Sequence, residues 1–208
     1  MTALDASAPL PRGRHTLTRG QVEESQRIRL AVAMAEACAE SGYADTPVRA
    51  VLERAGVSRL TFYELYDGKL DCFLDALDLV GAVLVSRLGD ALEEPGGSAE
   101  ASPVERAGVA IERYLDAITE NLAFARLYIV EVHAAGVDAL VRRAELQAQL
   151  VDALVELFGA TEPDRRFSCE AYVAAVSALV TLPVVTSDVA ALRALREPLI
   201  ALLRQLEG

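Results

Sequence analysis

Residues 46–69 read TPVRAVLERAGVSRLTFYELYDGK, and this stretch decides the fold. Thr46 can cap a helix N-terminus, and Pro47 suits the first helical position, where its missing N–H is no loss. Val48, Val51, Leu52 and Ala55 recur at helical spacing and make one apolar face. Gly56 ends that helix, because it takes a left-handed conformation without a Cβ penalty. Val57 fits between two helices, Ser58 is a second N-cap, and Arg59 to Tyr66 form a compact helix. Two helices joined by a tight glycine turn make a helix-turn-helix, whose second helix is shaped for a major groove.

With Val57, Phe62 and Tyr66 inward, that second helix presents Arg59, Thr61, Tyr63, Glu64 and Leu65. Arginine matches guanine edges, and Thr and Tyr hydroxyls reach phosphate oxygens. Gly68 and Lys69 then open a fourth helix, and a lysine at a helix N-terminus is a ready phosphate clamp. The chain has one lysine against 19 arginines, and that lysine is Lys69. A flexible point charge is thus kept at this position alone.

The run AGVSRLTFYELYDGKLDCF, residues 55–73, resembles the tetracycline-repressor-like (TetR) family of bacterial transcription regulators. The resemblance covers about residues 25 to 80; beyond it only helical character and length agree. It implies that Thr61 and Tyr63 stand for the family's Thr-x-Tyr, Lys69 for its helix-4 lysine, and Arg49 for a helix-2 position that reaches DNA. Glu64 and Leu65 depart from the family's basic or aromatic residues, which bears on the bases read and not on the binding mode; Leu70 departs from a common acidic one. The expected DNA-binding set is Arg49, Ser58, Arg59, Thr61, Tyr63, Glu64 and Lys69, and the expected target is a pseudo-palindromic operator.

Charge divides the chain. Residues 12–69 carry a net +1, and residues 70–208 carry −11. A near-neutral unit on an acidic body keeps the repelling charge away from phosphates, although solvated helix faces account for the acidic part equally well. Residues 1–17 hold Pro9, Pro11 and Gly13 and few apolar residues, as a disordered arm does. Its Arg12, Arg14 and His15 fit either a minor-groove arm or a mobile tail. No apolar run like that of a secretion signal follows them. Three scattered cysteines, Cys38, Cys72 and Cys169, fit a reducing cytoplasm, as small buried hydrophobes or, less simply, as redox sensors.

The expected helices run from about Thr18 to Ser41, where Gly42 stops the first, and from Lys69 to about Leu92 for the fourth. Ile28, Val32, Ala35 and Ala39 give the first its apolar stripe. The fourth has over twenty residues without proline, long enough to span two domains. EEPGGSAEAS, residues 93–102, reads as a linker. Ser102, Pro103 and Glu105 form a capping box. Five further helices follow: 103–120, 122–135, 137–158, about 167–182 and about 188–206. Residues 160–166 form a loop, Pro183 interrupts the eighth helix and Pro198 kinks the ninth. With no competing strand pattern the class is all-α.

Residues 171–187 contain no charge but are too short and interrupted for a membrane span. The last helix adds an apolar stripe. Two such helices bury their faces against a second copy or complete the chain's own core. The resemblance implies a homodimer through the last two helices, and Val176, Leu179, Leu192, Leu195, Leu199 and Leu202 are its expected interface. Tyr114, Phe124, Tyr128, His133 and Tyr172 carry most of the second domain's aromatic and imidazole content. Each suits ordinary packing; together they suit a chamber for a small hydrophobic effector, the reading the resemblance implies.

No phosphate loop, H-E-x-x-H or nucleophile elbow occurs, and two histidines leave little for a triad or a metal. The expected organisation is an arm (1–17), a helix-turn-helix domain (18–68) and a larger ligand-binding and dimerisation domain (69–208). The expected function is a cytoplasmic, ligand-responsive repressor without cofactor or metal. The alternative is a helical interaction module that no longer binds DNA, which Glu64 and the acidic body favour.

Overall fold

A computed structural model describes residues 18–93 and 101–206, and every regular element in them is helical. The order is α1 (Arg19–Asp45), α2 (Val48–Ala55), α3 (Arg59–Leu65), α4 (Lys69–Glu93), α5 (Pro103–Glu120), α6 (Leu122–Arg126), a π turn (Leu127–Glu131), α7 (Val132–Ala135), α8 (Val137–Phe158), α9 (Pro163–Val185), α10 (Val189–Ala194) and α11 (Arg196–Leu203). A 3-10 turn (Arg204–Leu206) closes the chain. The expected sixth helix is α6, the π turn and α7 in one run, and the expected ninth is α10 with α11. The N-terminal arm and residues 94–100 of the linker lie outside the described residues.

Local chemistry sets most boundaries. Thr18 and Gln21 cap α1 reciprocally, and Ser102 and Glu105 do the same for α5. Asp188 accepts from the Ala191 amide at 2.9 Å and starts α10. Gly42, at φ +78°, breaks the helical path of α1 where expected, and Gly56, at φ +62°, turns α2 into α3.

Several expectations are corrected. Thr46 does not cap α2: it is buried, and its hydroxyl donates back to the Gly42 carbonyl at 2.7 Å, while Pro47 takes the cap position. From Leu30 to Cys38, α1 is buried on most sides rather than along one stripe, because α2, α4, α6 and the π turn surround it. Leu65 is half-buried against the core. The eighth helix, α9, starts at Pro163, where proline is preorganised for the first turn, so the loop is only residues 160–162. Pro183 does not stop it, since so near the end it forfeits a single backbone bond. The break at Leu195 lies just before Pro198, whose ring crowds the Ala194 carbonyl four residues back.

The expected dimer stripe is also corrected. Leu192, Leu199 and Val176 are buried inside the protomer, because α10 and α11 pack on α5 and Val176 faces the interior of α9. Leu195 and Leu202 are half-buried. Leu179 alone of that set is well exposed, and it shares the outer face of α9 with Phe167, Leu182 and Val185. By length and composition α9 could cross a membrane, yet its Cys169, Tyr172, Val176, Val180 and Val184 are buried in the helical body.

Candidate functional sites: the recognition face and the helical chamber

Phe62 and Tyr66 anchor α3 from within, both buried, their rings tilted at 50° with centroids 5.4 Å apart. The Tyr66 hydroxyl bonds to Asp75 of α4, and burial with that carboxylate pushes its phenol far up, so it stays a donor. Arg27 of α1 meets the same Asp75 at 3.4 Å, lies 5.0 Å over the Tyr66 ring and donates to the Leu65 carbonyl. Arg54 holds α2 to α1 through both carboxylate oxygens of Glu40 at 2.7 Å. The recognition helix is thereby fixed to three neighbours while its outer face stays open.

On that face Arg49, Arg59 and Tyr63 line one shallow groove with Glu53. Arg49 is paired with Glu53 at 2.7 Å, and the Arg59 guanidinium lies 5.5 Å from the Tyr63 ring. Ser58 accepts from the Thr61 amide at 3.0 Å, and the two hydroxyls meet at 2.9 Å. Glu64 is exposed. Lys69 is placed differently from the sequence expectation of a free clamp. Its ammonium donates to the Tyr43 carbonyl at 2.8 Å and sits 4.2 Å over the Tyr43 ring. The end of α1 offers unsatisfied carbonyls, which attract a cation. Sequence reasoning passed over Leu60, 73 % exposed at the head of α3, where an apolar side chain suits a thymine methyl. Its exposed place follows from the same helical spacing that turned Phe62 inward.

Two apolar cavities lie beside α4. The first is walled by Leu79, Val83 and Leu84 of α4 together with Ile118, Phe124 and Ile129. The second is walled by Leu88, Ile111, Leu150, Leu154, Tyr172 and Val176. Each holds about 80 Å³ of internal free volume and opens to the surface at its mouth. Tyr114 and Tyr128 line both, so the cavities meet at these two rings. Burial pushes the Tyr114 and Tyr172 phenols up, and Tyr172 donates to the Leu199 carbonyl at 3.3 Å. Four of the five expected chamber residues are thus brought together. His133 is not: it is exposed, 3.5 Å from Arg143, and outside both cavities, because α7 turns it to the surface.

The π turn joins the chamber to the first helix. It carries Tyr128 and Ile129 into the cavity walls and ends at Glu131, whose side chain is buried. Glu131 accepts from the Tyr43 amide at 2.7 Å and from Arg126 at 3.2 Å. Tyr43 is the residue whose carbonyl holds Lys69. A methyl on Gly42 would come within 3.6 Å of Glu131, and its positive φ already excludes most side chains.

A helix-turn-helix fixed to the end of a larger helical body is the architecture of bacterial DNA-binding transcription regulators. Residues 30–76 match the family model of the bacterial regulatory proteins, tetR family. That match covers less than half of the chain and bears out the resemblance read from the sequence for its helix-turn-helix stretch. No curated protein matches by sequence. The fold is similar to that of the fatty acid degradation regulator FadR from Bacillus halodurans, at a TM-score of 0.73 and 19% identity over 86% of this chain and 97% of that one. It is similar to FadR from Bacillus subtilis, solved with stearoyl-CoA, at 0.70 and 17% over 85% and 96%. A TetR-like transcriptional regulator from Rhodococcus sp. RHA1 gives 0.64 and 21% over 92% and 99%.

Proposed function

We propose that this protein is a cytoplasmic, homodimeric repressor released from a pseudo-palindromic operator by a small hydrophobic effector. The observation that carries the reading is the pair of apolar cavities beside α4, the helix whose first residue, Lys69, adjoins the helix-turn-helix. Arg49, Ser58, Arg59, Thr61, Tyr63 and Glu64 form the contact face, and Lys69 reaches phosphate by exchanging the Tyr43 carbonyl for it. Tyr114, Phe124, Tyr128 and Tyr172 line the effector chamber. The exposed apolar face of α9, with Val137 and Val141 of α8, is the surface that joins two copies, since it buries nothing within one chain. The stearoyl-CoA held by the Bacillus subtilis neighbour makes a long acyl chain one effector to try.

Two recognition helices then engage grooves about 34–36 Å apart. An effector that fits the chamber only when α4 is tilted spreads them, and a hundredfold preference for that state is worth about 2.7 kcal/mol. A gel-shift screen on DNA flanking the protein's own gene tests the reading. Retarded, sequence-specific complexes whose affinity falls in Arg59→Ala support it. No binding to any fragment at low salt would leave the helical interaction module instead.

A further inference from the structure

We propose that the chamber takes an amphipathic anion: an apolar chain or ring body ending in one carboxylate, which Arg143 and Tyr128 meet at the seam of the two cavities. This rests on the chamber being the effector site. Tyr128 is nine-tenths buried, lines both cavities, and its hydroxyl faces Arg143 but has no well-aligned hydrogen-bond partner among the described residues. A phenol so placed lacks the partner that buried polar groups nearly always have. Arg143 stands behind it, its guanidinium 5.5 Å from the ring centre. Its Nε is buried and also without a partner, while one Nη donates to the Ser177 hydroxyl at 2.5 Å. Ser177 and Gln147 line the second cavity beside Tyr128.

The charge of Arg143 is what selects an anion. Arg87, Arg126, Arg142, Arg166 and Arg196 each pair with a carboxylate. Arg143 meets none within ion-pair distance among the described residues, although the chain is strongly acidic. A half-buried guanidinium with a free Nε, a phenol and a serine hydroxyl together offer a carboxylate what it needs: a countercharge and donors on two sides. Arg87 and Glu120 at the first cavity are paired with each other, and most of the remaining lining is hydrocarbon, so the rest of the ligand is apolar.

The test compares dodecanoate with dodecanol, and hexadecanoate with hexadecanoyl-coenzyme A, by titration calorimetry on the full chain. Dodecanoate should bind about ten- to a hundredfold tighter than dodecanol, the worth of charge-assisted hydrogen bonds. Arg143→Gln and, separately, Tyr128→Phe should erase most of that ratio while dodecanol binding stays. Circular dichroism shows whether each variant is folded, and Arg143→Lys, which keeps the charge, should retain part of the ratio. Equal binding of acid and alcohol would overturn the proposal, as would a ratio unmoved by either variant. Binding of the thioester without the free acid would also overturn it. If the acid binds through Arg143 but leaves a DNA complex intact, the anion site stands and the repressor reading fails. If none of the four probes binds, the anion site fails, and the repressor reading is decided by the gel shift alone.

Discussion

Gly81 offers a direct test of how α4 is seated. It is buried in the middle of that helix, and a Cβ built there would overlap Leu146 Cδ2 of α8 and lie 2.6 Å from Cδ1. The missing side chain is what lets Leu146 rest on the α4 backbone. Gly81→Ala therefore sets two effects against each other. Alanine in a helix interior gains about 1 kcal/mol over glycine. Overpacking a filled contact costs about 1–3 kcal/mol. The neighbouring atoms are the far end of a leucine, which can turn, so the net result is a loss of about 0–2 kcal/mol. Leu146 is only half-buried, so Leu146→Ala alone should cost less than the ~2–5 kcal/mol of a core leucine.

The double variant decides the matter. Without the Leu146 methyls, the methyl introduced by Gly81→Ala fills part of the vacated space, and the helical gain is kept. Its stability should match or exceed that of Leu146→Ala alone, a coupling of about 1–3 kcal/mol in the favourable direction. Urea unfolding of the four proteins measures it. Additivity within about 0.5 kcal/mol would refute this account of the α4–α8 contact. Gly81→Ala should also weaken operator binding, because α4 carries Lys69 at its other end.

Thr46→Val, nearly isosteric, removes the donor from the Gly42 carbonyl and should cost about 1–2 kcal/mol in thermal or urea unfolding, whereas a cap lost from α2 would melt that helix alone. Leu182→Arg should give folded monomers in sedimentation, and Leu192→Arg, placed in the protomer core, should unfold the chain. Burial pushes the Cys38 thiol up to about 11 and Cys72 to about 12. Both folded values lie above the unfolded one, so the stability they contribute is complete below about pH 8 and lost as pH rises through 11 to 12. An alkylating reagent at pH 8 should label them only after denaturation.

The recognition unit was legible because its information is local. Gly56, Ser58 and the spacing of Val57, Phe62 and Tyr66 each act within one turn of helix, and each stands where its chemistry puts it. Thr46 was not, because the cap and the backward bond to Gly42 compete for one hydroxyl, and the burial of Thr46 that decides between them comes from packing. The leucines of α10 and α11 show the same limit from the other side. Their 3.6-residue period announces an apolar face but not what covers it, and α5 covers it here. The chamber tyrosines were proposed mainly from the resemblance and do line the cavities, yet Arg143 was missed. Among 19 arginines, nothing in sequence distinguishes one that lacks a carboxylate.

The buried Glu131 shows how the chamber and the DNA end can be mechanically one. It lies at the end of the π turn, three residues past Tyr128, and its carboxylate bonds the Tyr43 amide. Tyr43 in turn holds Lys69 through its carbonyl and packs edge-on against Phe73 of α4 at 4.9 Å. A π turn carries one residue more per turn than an α-helix, so a change to α-helical pairing there would rotate Glu131 relative to α1. A ligand displacing Tyr128 thus has a short path to the residue that seats α4. Glu131→Ala removes both the acceptor of the Tyr43 amide and the charge facing Arg126. Breaking a buried pair costs about 3–5 kcal/mol, and the partly exposed Arg126 should lower that to about 1–3. Hydrogen exchange on the full chain gives the specific readout: the Tyr43 amide should exchange about ten- to a hundredfold faster in the variant, while the amides of α9 keep their rates. An unchanged Tyr43 rate would mean that Glu131 does not hold the corner, and the link from chamber to Lys69 would have to run along α4 alone.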